Sequence, residues 1–198
     1  MESAKTSSKL YQWAIQKATS SKAPLWMGLL FFLELFLFIP LDPILLFFSL
    51  QRRSQIFFYC IIAAIASTFS ACIGYLAAHF LWDLLEPLVI PHLISAAHFA
   101  KVSSQFEVYE HWALFFGALL PFPLKALSLT AGVFHLGLLP FASLVLLARL
   151  IRFFLIGGVI AIWGEKVHAF VERHFQRILL LIGAKIAAAA LFLWVLAK

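Results

Sequence analysis

Glu34, Asp42, Lys125, Arg149 and Arg152 are charged residues that stand inside otherwise apolar runs of this chain. Glu34 and Asp42 have the chemistry of a proton-accepting or gating pair, because carboxylates withdrawn from water favour their neutral form and take up protons. Structural neutralisation by Lys125, Arg149 or Arg152 is the competing role. Arg149 and Arg152 are three residues apart, so on a helix they face the same side. Their planar forks suit phosphate or carboxylate. Lys125 is a compact charge that can bind an anionic headgroup or partner Asp42. Lys185 lies about two turns into the last apolar run, where it can snorkel or pack.

Enzyme chemistry finds little support. The chain has no His-Glu-x-x-His, no Gly-x-Ser-x-Gly and no clustered acidic metal site. The embedded acids lack a matched base. Two carboxylates alone could make an aspartyl-type centre, but their flanks do not resemble one. His92, His98, His111 and His135 lack metal-ligand spacing and read as solvated or interfacial. No metal, cofactor or catalytic residue is expected.

The elements that position these residues belong in a membrane. Hydrophobic residues make up 64% of the 198, charged residues 12%, and the mean hydropathy is +0.99. A soluble domain carries about 25% charged residues, so too few are present to cover a water-facing surface. The net charge of +6 lies in short basic clusters between apolar runs. That arrangement suits anionic headgroups and the positive-inside rule, not a nucleic-acid groove. Cys60 and Cys72, twelve residues apart on one helix, would stand about 18 Å apart, too far for a disulfide. No signal peptide is evident, and the N-terminus is expected to be retained.

Residues 1–23 carry four lysines against Glu2 and read as a basic amphipathic interfacial helix. The apolar run 24–50 opens on Pro24 and contains Glu34, then Pro40-Leu41-Asp42-Pro43; Arg52-Arg53 follow. A charge-free span covers about 54–82, with Ser67, Ser70 and Gly74 as a small-residue packing face. Asp83–Glu110 is the acidic stretch, with Pro87 and Pro91 breaking its first part. The run 111–134 holds Pro121-Phe122-Pro123-Leu124-Lys125, and a further span covers about 140–163. Residues 165–198 form an amphipathic segment and a last transmembrane helix. Strand alternation is absent, against a β-barrel.

The runs 24–50 and 111–134 share a design: each is broken by two prolines, Pro40 and Pro43 or Pro121 and Pro123, with Asp42 or Lys125 at the break. Proline removes a donor and clashes with the preceding turn, and the freed backbone is tolerated only inside protein or beside a wet cavity. Two kinked spanning helices would satisfy this. Charge favours re-entrant hairpins, because only a hairpin puts the basic N-terminus and Arg52-Arg53 on one side. The expected fold is therefore all-α and integral to the membrane. It has two inverted repeats of re-entrant hairpin plus transmembrane helix, with an extra C-terminal transmembrane helix. Such repeats place broken helices near mid-membrane in transporters, where Asp42 and Lys125 would pair.

These residues resemble the DedA family, also called the SNARE-associated or VTT-domain family, and most closely its YqaA-like branch. The resemblance rests on Glu34 followed by Ile39-Pro40-Leu41-Asp42-Pro43, on the span ending Ile73-Gly74-Tyr75, on Pro121-Phe122-Pro123-Leu124-Lys125 leading to Ala131-Gly132, and on the helix bearing Arg149 and Arg152. It covers about residues 26–164. The resemblance implies two re-entrant hairpins and movement of phospholipid or undecaprenyl phosphate between leaflets. Many members carry Arg-Phe-x-Pro-x-x-Arg at the second hairpin. Here Leu120 stands near the first arginine and Lys125 near the second, which weakens transfer of the polyprenyl specificity.

The expected function is a flippase or scramblase for a phosphorylated lipid, with proton coupling as an option. Lys125, Arg149 and Arg152 would bind the headgroup, and Glu34 and Asp42 would carry protons or gate. The alternatives are a transporter of a small ion or solute and a non-transporting membrane scaffold. The expected partners are anionic membrane lipids and protons, without nucleic acid, and a homo-oligomer is left open. A bacterial plasma membrane with a cytoplasmic N-terminus is the expected location.

Overall fold

The computed structural model describes residues 15–35, 41–90, 95–120 and 122–166, and every regular element among them is helical. Residues 15–19 form the described end of the N-terminal segment. The last span, at 178–197 with Lys185, lies outside the described residues, as do Pro40 and Pro121.

Helix α1 runs Ala23–Phe32 with Pro24 in its first turn, where the missing N–H has no intrahelical partner to lose. A 3₁₀ turn, Leu33–Leu35, follows and carries Glu34. Helix α2, Asp42–Gln51, has Pro43 in its first turn and is buried along Leu45 and Phe47–Leu50. At ten residues, each of these helices is about 15 Å long, half of a bilayer's hydrocarbon core of about 30 Å. Arg52 donates from its guanidinium to the Thr19 carbonyl. The two ends of the 24–50 run therefore meet.

Helix α3 spans Ile56–Val89, α4 spans Ala96–Leu119 and α5 spans Leu124–Val133. A last described helix, α6, spans Leu138–Lys166. Two helical stretches, Arg53–Pro87 and Leu138–Lys166, are long and apolar enough to cross a membrane. Two features differ from the sequence expectation. Pro87 lies inside α3 and does not end it; the helix stops two residues later, so the proline removes only one late hydrogen bond. The acidic stretch is also helical from Ala96, continuous with the apolar run that begins at His111. Residues 96–110 contain no glycine or proline, so no residue of this stretch interrupts the helix.

The chain divides into two units, Met1–Ala66 with Phe153–Lys198, and Ser67–Arg152. In the first, α1, α2, the start of α3 and the end of α6 share a core. Phe31 and Phe153 meet edge to face at 5.3 Å, and Phe48 meets the fully buried Tyr59 at 6.4 Å. Cys60 donates from its thiol to the Phe153 carbonyl at 3.1 Å. Gly157 lets α6 lie against α3, since a Cβ there would sit 2.8 Å from Cys60 Sγ and 2.9 Å from Ile56.

In the second unit the core gathers Ala71, Tyr75, Leu114, Leu127, Phe141 and Val145 among others. Ser67, Ser70 and Gly74 are buried, as a small-residue packing face requires. Gly132 closes the contact of α5 with α3, because its Cα faces the backbone of Tyr75 and His79. Outside, Phe57, Ile61, Ile65, Phe69, Leu76, Phe80 and Leu84 stay exposed along α3. On α6, Leu147, Ile151, Leu155, Val159 and Ile162 do the same. A surface helix in water turns its apolar stripe inward, whereas these two helices also carry apolar residues along the outer face.

Candidate anion-binding site

The second proline break is built from four consecutive constraints. Helix α4 ends at Leu119, and the Leu120 N–H still reaches the Phe116 carbonyl at 2.8 Å. The Leu120 carbonyl accepts from the Phe122 N–H at 2.7 Å. Pro123 is extended (φ −63°, ψ 113°) and caps α5. Its carbonyl accepts the Ala126 N–H at 3.0 Å, which starts the new helix. A proline has no N–H to give, so a break of this kind must find other donors for its carbonyls.

Arg152 provides one. Its Nη1 donates to the Leu120 carbonyl at 2.6 Å, tying α6 to the break. Arg149 stands one turn earlier on the same side of α6 and is buried, at 3% exposure. Burial of a group that cannot be deprotonated demands polar or anionic company. The two arginines on one helix face thus differ in the fold: Arg152 reaches the second proline break and Arg149 is buried.

Lys125 is half-buried in the first turn of α5. The amide end of a helix carries about half a positive charge, so a cation there adds to a field of its own sign. Such a place favours an anion. The first break is the opposite case. Asp42 opens α2, where a carboxylate opposes the same dipole and stabilises the helix by about 0.3–1 kcal/mol. Glu34 is half-buried in the 3₁₀ turn after α1. At the first break the charge opposes the field of the helix amide end, and at the second it reinforces that field.

Of the residues singled out from sequence, Lys125, Arg149, Arg152 and Pro123 fall in the second unit. Glu34, Asp42 and Pro43 fall in the first.

A second polar cluster escaped the sequence reading. His135 Nε2 lies 2.9 Å from Asp83 Oδ1, and its ring centre is 4.5 Å from that of His79. Tyr75 stacks on His79 at 5.7 Å and donates its hydroxyl to the Leu136 carbonyl. His135 closes α5 in a Schellman turn: its N–H bonds Gly132 at 3.1 Å and the Leu136 N–H bonds Ala131 at 3.1 Å. That motif asks for glycine, yet histidine occupies it with φ 54°, at a cost of about 1–2 kcal/mol for an L-residue. The available signal was the spacing of His79 and Asp83, four apart on one helix face; His135 joins them only through the fold. Among the described residues no group of histidine, cysteine and carboxylate side chains forms a metal site, and both cysteines are free.

No family model and no solved structure matches the chain. It is similar to an uncharacterized protein of Haemophilus influenzae, with 28% identity over 96% of both chains. It is also similar to an uncharacterized protein of Histophilus somni, with 26% identity over 96% of this chain and 97% of the other.

Proposed function

We propose that this protein is an integral membrane transporter that moves a phosphorylated lipid between leaflets, as a flippase or scramblase. The carrying observation is the basic break. Lys125 adds its charge to the α5 amide end, while Arg152 is docked on the Leu120 carbonyl and Arg149 lies buried one turn away. Phosphate is the anion that this set suits, since arginine forks bind it bidentately and helix amide ends favour it. The apolar outer faces of α3 and α6 favour lipid over water as the surrounding solvent, and an acyl chain can stay there while its headgroup enters protein.

The short helices α1, α2 and α5 support re-entrant hairpins, as does the return of Arg52 to Thr19. Each unit holds one proline-broken run and parts of two long helices, which is compatible with inverted repeats of the DedA or VTT type. In this reading the N-terminus is cytoplasmic in a bacterial plasma membrane, and Glu34 and Asp42 carry the proton or gating role.

The test is reconstitution into liposomes with fluorescent phospholipids or a polyprenyl phosphate, with and without a pH gradient. Wild-type protein should speed leaflet exchange. Arg149→Gln, Arg152→Gln and Lys125→Gln should each slow it by about tenfold or more, the equivalent of one charge-assisted hydrogen bond of about 1.5–3 kcal/mol. Normal lipid movement by a folded Arg149→Gln/Arg152→Gln double variant would remove the headgroup site. Uptake of a soluble anion without lipid movement would transfer the same site to solute transport.

A further inference from the structure

We propose that His135, Asp83 and His79 form a proton-binding site that fastens the turn after α5 to the far end of α3. The proposal stands on its own geometry and holds whether or not the protein moves lipid.

Both ring nitrogens of His135 face acceptors. Nδ1 lies 3.1 Å from the Val133 carbonyl, and Nε2 lies 2.9 Å from Asp83 Oδ1. A carbonyl cannot donate, so Nδ1 carries a hydrogen. A second hydrogen must lie between Nε2 and the carboxylate, on one atom or the other. Wherever it resides, the pair holds one proton more than a neutral imidazole beside an ionised carboxylate. That proton is the ligand. Without it, a ring lone pair would face a carboxylate oxygen at 2.9 Å, and the contact would become repulsive.

The mechanical consequence follows from the backbone. His135 sits at φ 54°, a conformation that histidine holds here while its ring is tied to Asp83 and Val133. The same turn receives the Tyr75 hydroxyl on Leu136, and Tyr75 is itself stacked on His79 and Phe141. Loss of the proton therefore removes the side-chain tie from the joint between α5 and α6. Among the described residues, the titratable groups facing His135 come from α3: Asp83 in contact, His79 edge-on at 4.5 Å, and Tyr75 behind it. Glu86 is exposed one turn further along α3. From α6 the cluster meets Phe141, which carries no charge.

The experiment is a ring-nitrogen NMR titration of the full chain, labelled with ¹⁵N-histidine in detergent micelles, across the range of about pH 5 to 8 in which imidazoles change charge. The His135 signal is identified by its loss in His135→Gln. It should report two protonated nitrogens, or one shared with the carboxylate, at the acid end and lose one proton as pH rises. In step, the amides of His135 and Leu136 should exchange faster than intrinsic base catalysis accounts for. Asp83→Asn should move the proton loss to lower pH, and Asp83→Glu should restore much of it. A His135 ring that stays in one neutral tautomer throughout overturns the proposal. So does a titration that Asp83→Asn leaves in place, or one that leaves both amides unaffected.

Discussion

His135 shows how a single residue can combine a backbone cost with a side-chain gain. Glycine would take its left-handed position freely, while alanine would bear the strain with no ring to offset it. His135→Gly and His135→Ala both remove the Asp83 contact, so the difference between them isolates the backbone. His135→Gly is expected to be the more stable by about 1 kcal/mol, as measured by unfolding of the two variants in detergent. Equal stability would mean that the turn relaxes out of the left-handed conformation once the ring is gone. Arg152 carries the same lesson. Its place on an apolar helix was legible in the sequence, and the phosphate chemistry of its fork with it. Its bond to Leu120 was not, because that partner is a backbone carbonyl 32 residues away and carries no residue-type signal.

At the scale of the element, three glycines give a graded test of helix packing. A Cβ on Gly132 would strike the backbone of Tyr75 and sit 2.7 Å from Ala78 Cβ and 2.9 Å from the His79 nitrogen. None of these can rotate away. On Gly157 the Cβ would meet Cys60 Sγ and Ile56 Cγ2, which are side-chain atoms and can shift. On Gly158 nothing lies within 4 Å. Gly132→Ala should therefore destabilise most, by about 1–3 kcal/mol, and Gly157→Ala less. Gly158→Ala should stabilise by about 0.5–1 kcal/mol through helix propensity. Thermal unfolding of the three variants in one detergent gives the order, and a Gly132→Ala protein as stable as wild type would refute the close approach of α5 to α3. The apolar runs announced these helices, and the proline pairs announced where they break. The extent of α3 is less legible, because Pro87 reads as a break in the acidic stretch. Pro87 sits within one turn of the helix end, where it removes little, and charged residues from Lys101 to Glu110 are good helix formers.

For the whole molecule, composition alone pointed to the membrane, and the outward apolar faces of α3 and α6 give that inference a shape. What charge patterning adds is direction. The 24–50 run leaves from a basic segment and returns to Arg52-Arg53, and the Arg52 bond to Thr19 brings its two ends together within the first unit. If that run is a re-entrant hairpin, Ser20 and Ser54 share a membrane face. Helix α3 is 34 residues long, about 51 Å at the usual rise, so it can cross and still extend beyond an interface marked by Trp82. Ser104, on the exposed surface of the acidic stretch, then lies on the opposite face. Single cysteines at Ser20, Ser54 and Ser104, in a background with Cys60 and Cys72 replaced by serine, test this in inverted and right-side-out vesicles. A membrane-impermeant maleimide should block positions 20 and 54 from the cytoplasmic side and position 104 from the other. Labelling of 20 and 54 from opposite faces would turn the 24–50 run into a spanning segment, reverse the orientation of everything after it, and remove the positive-inside support for the hairpin.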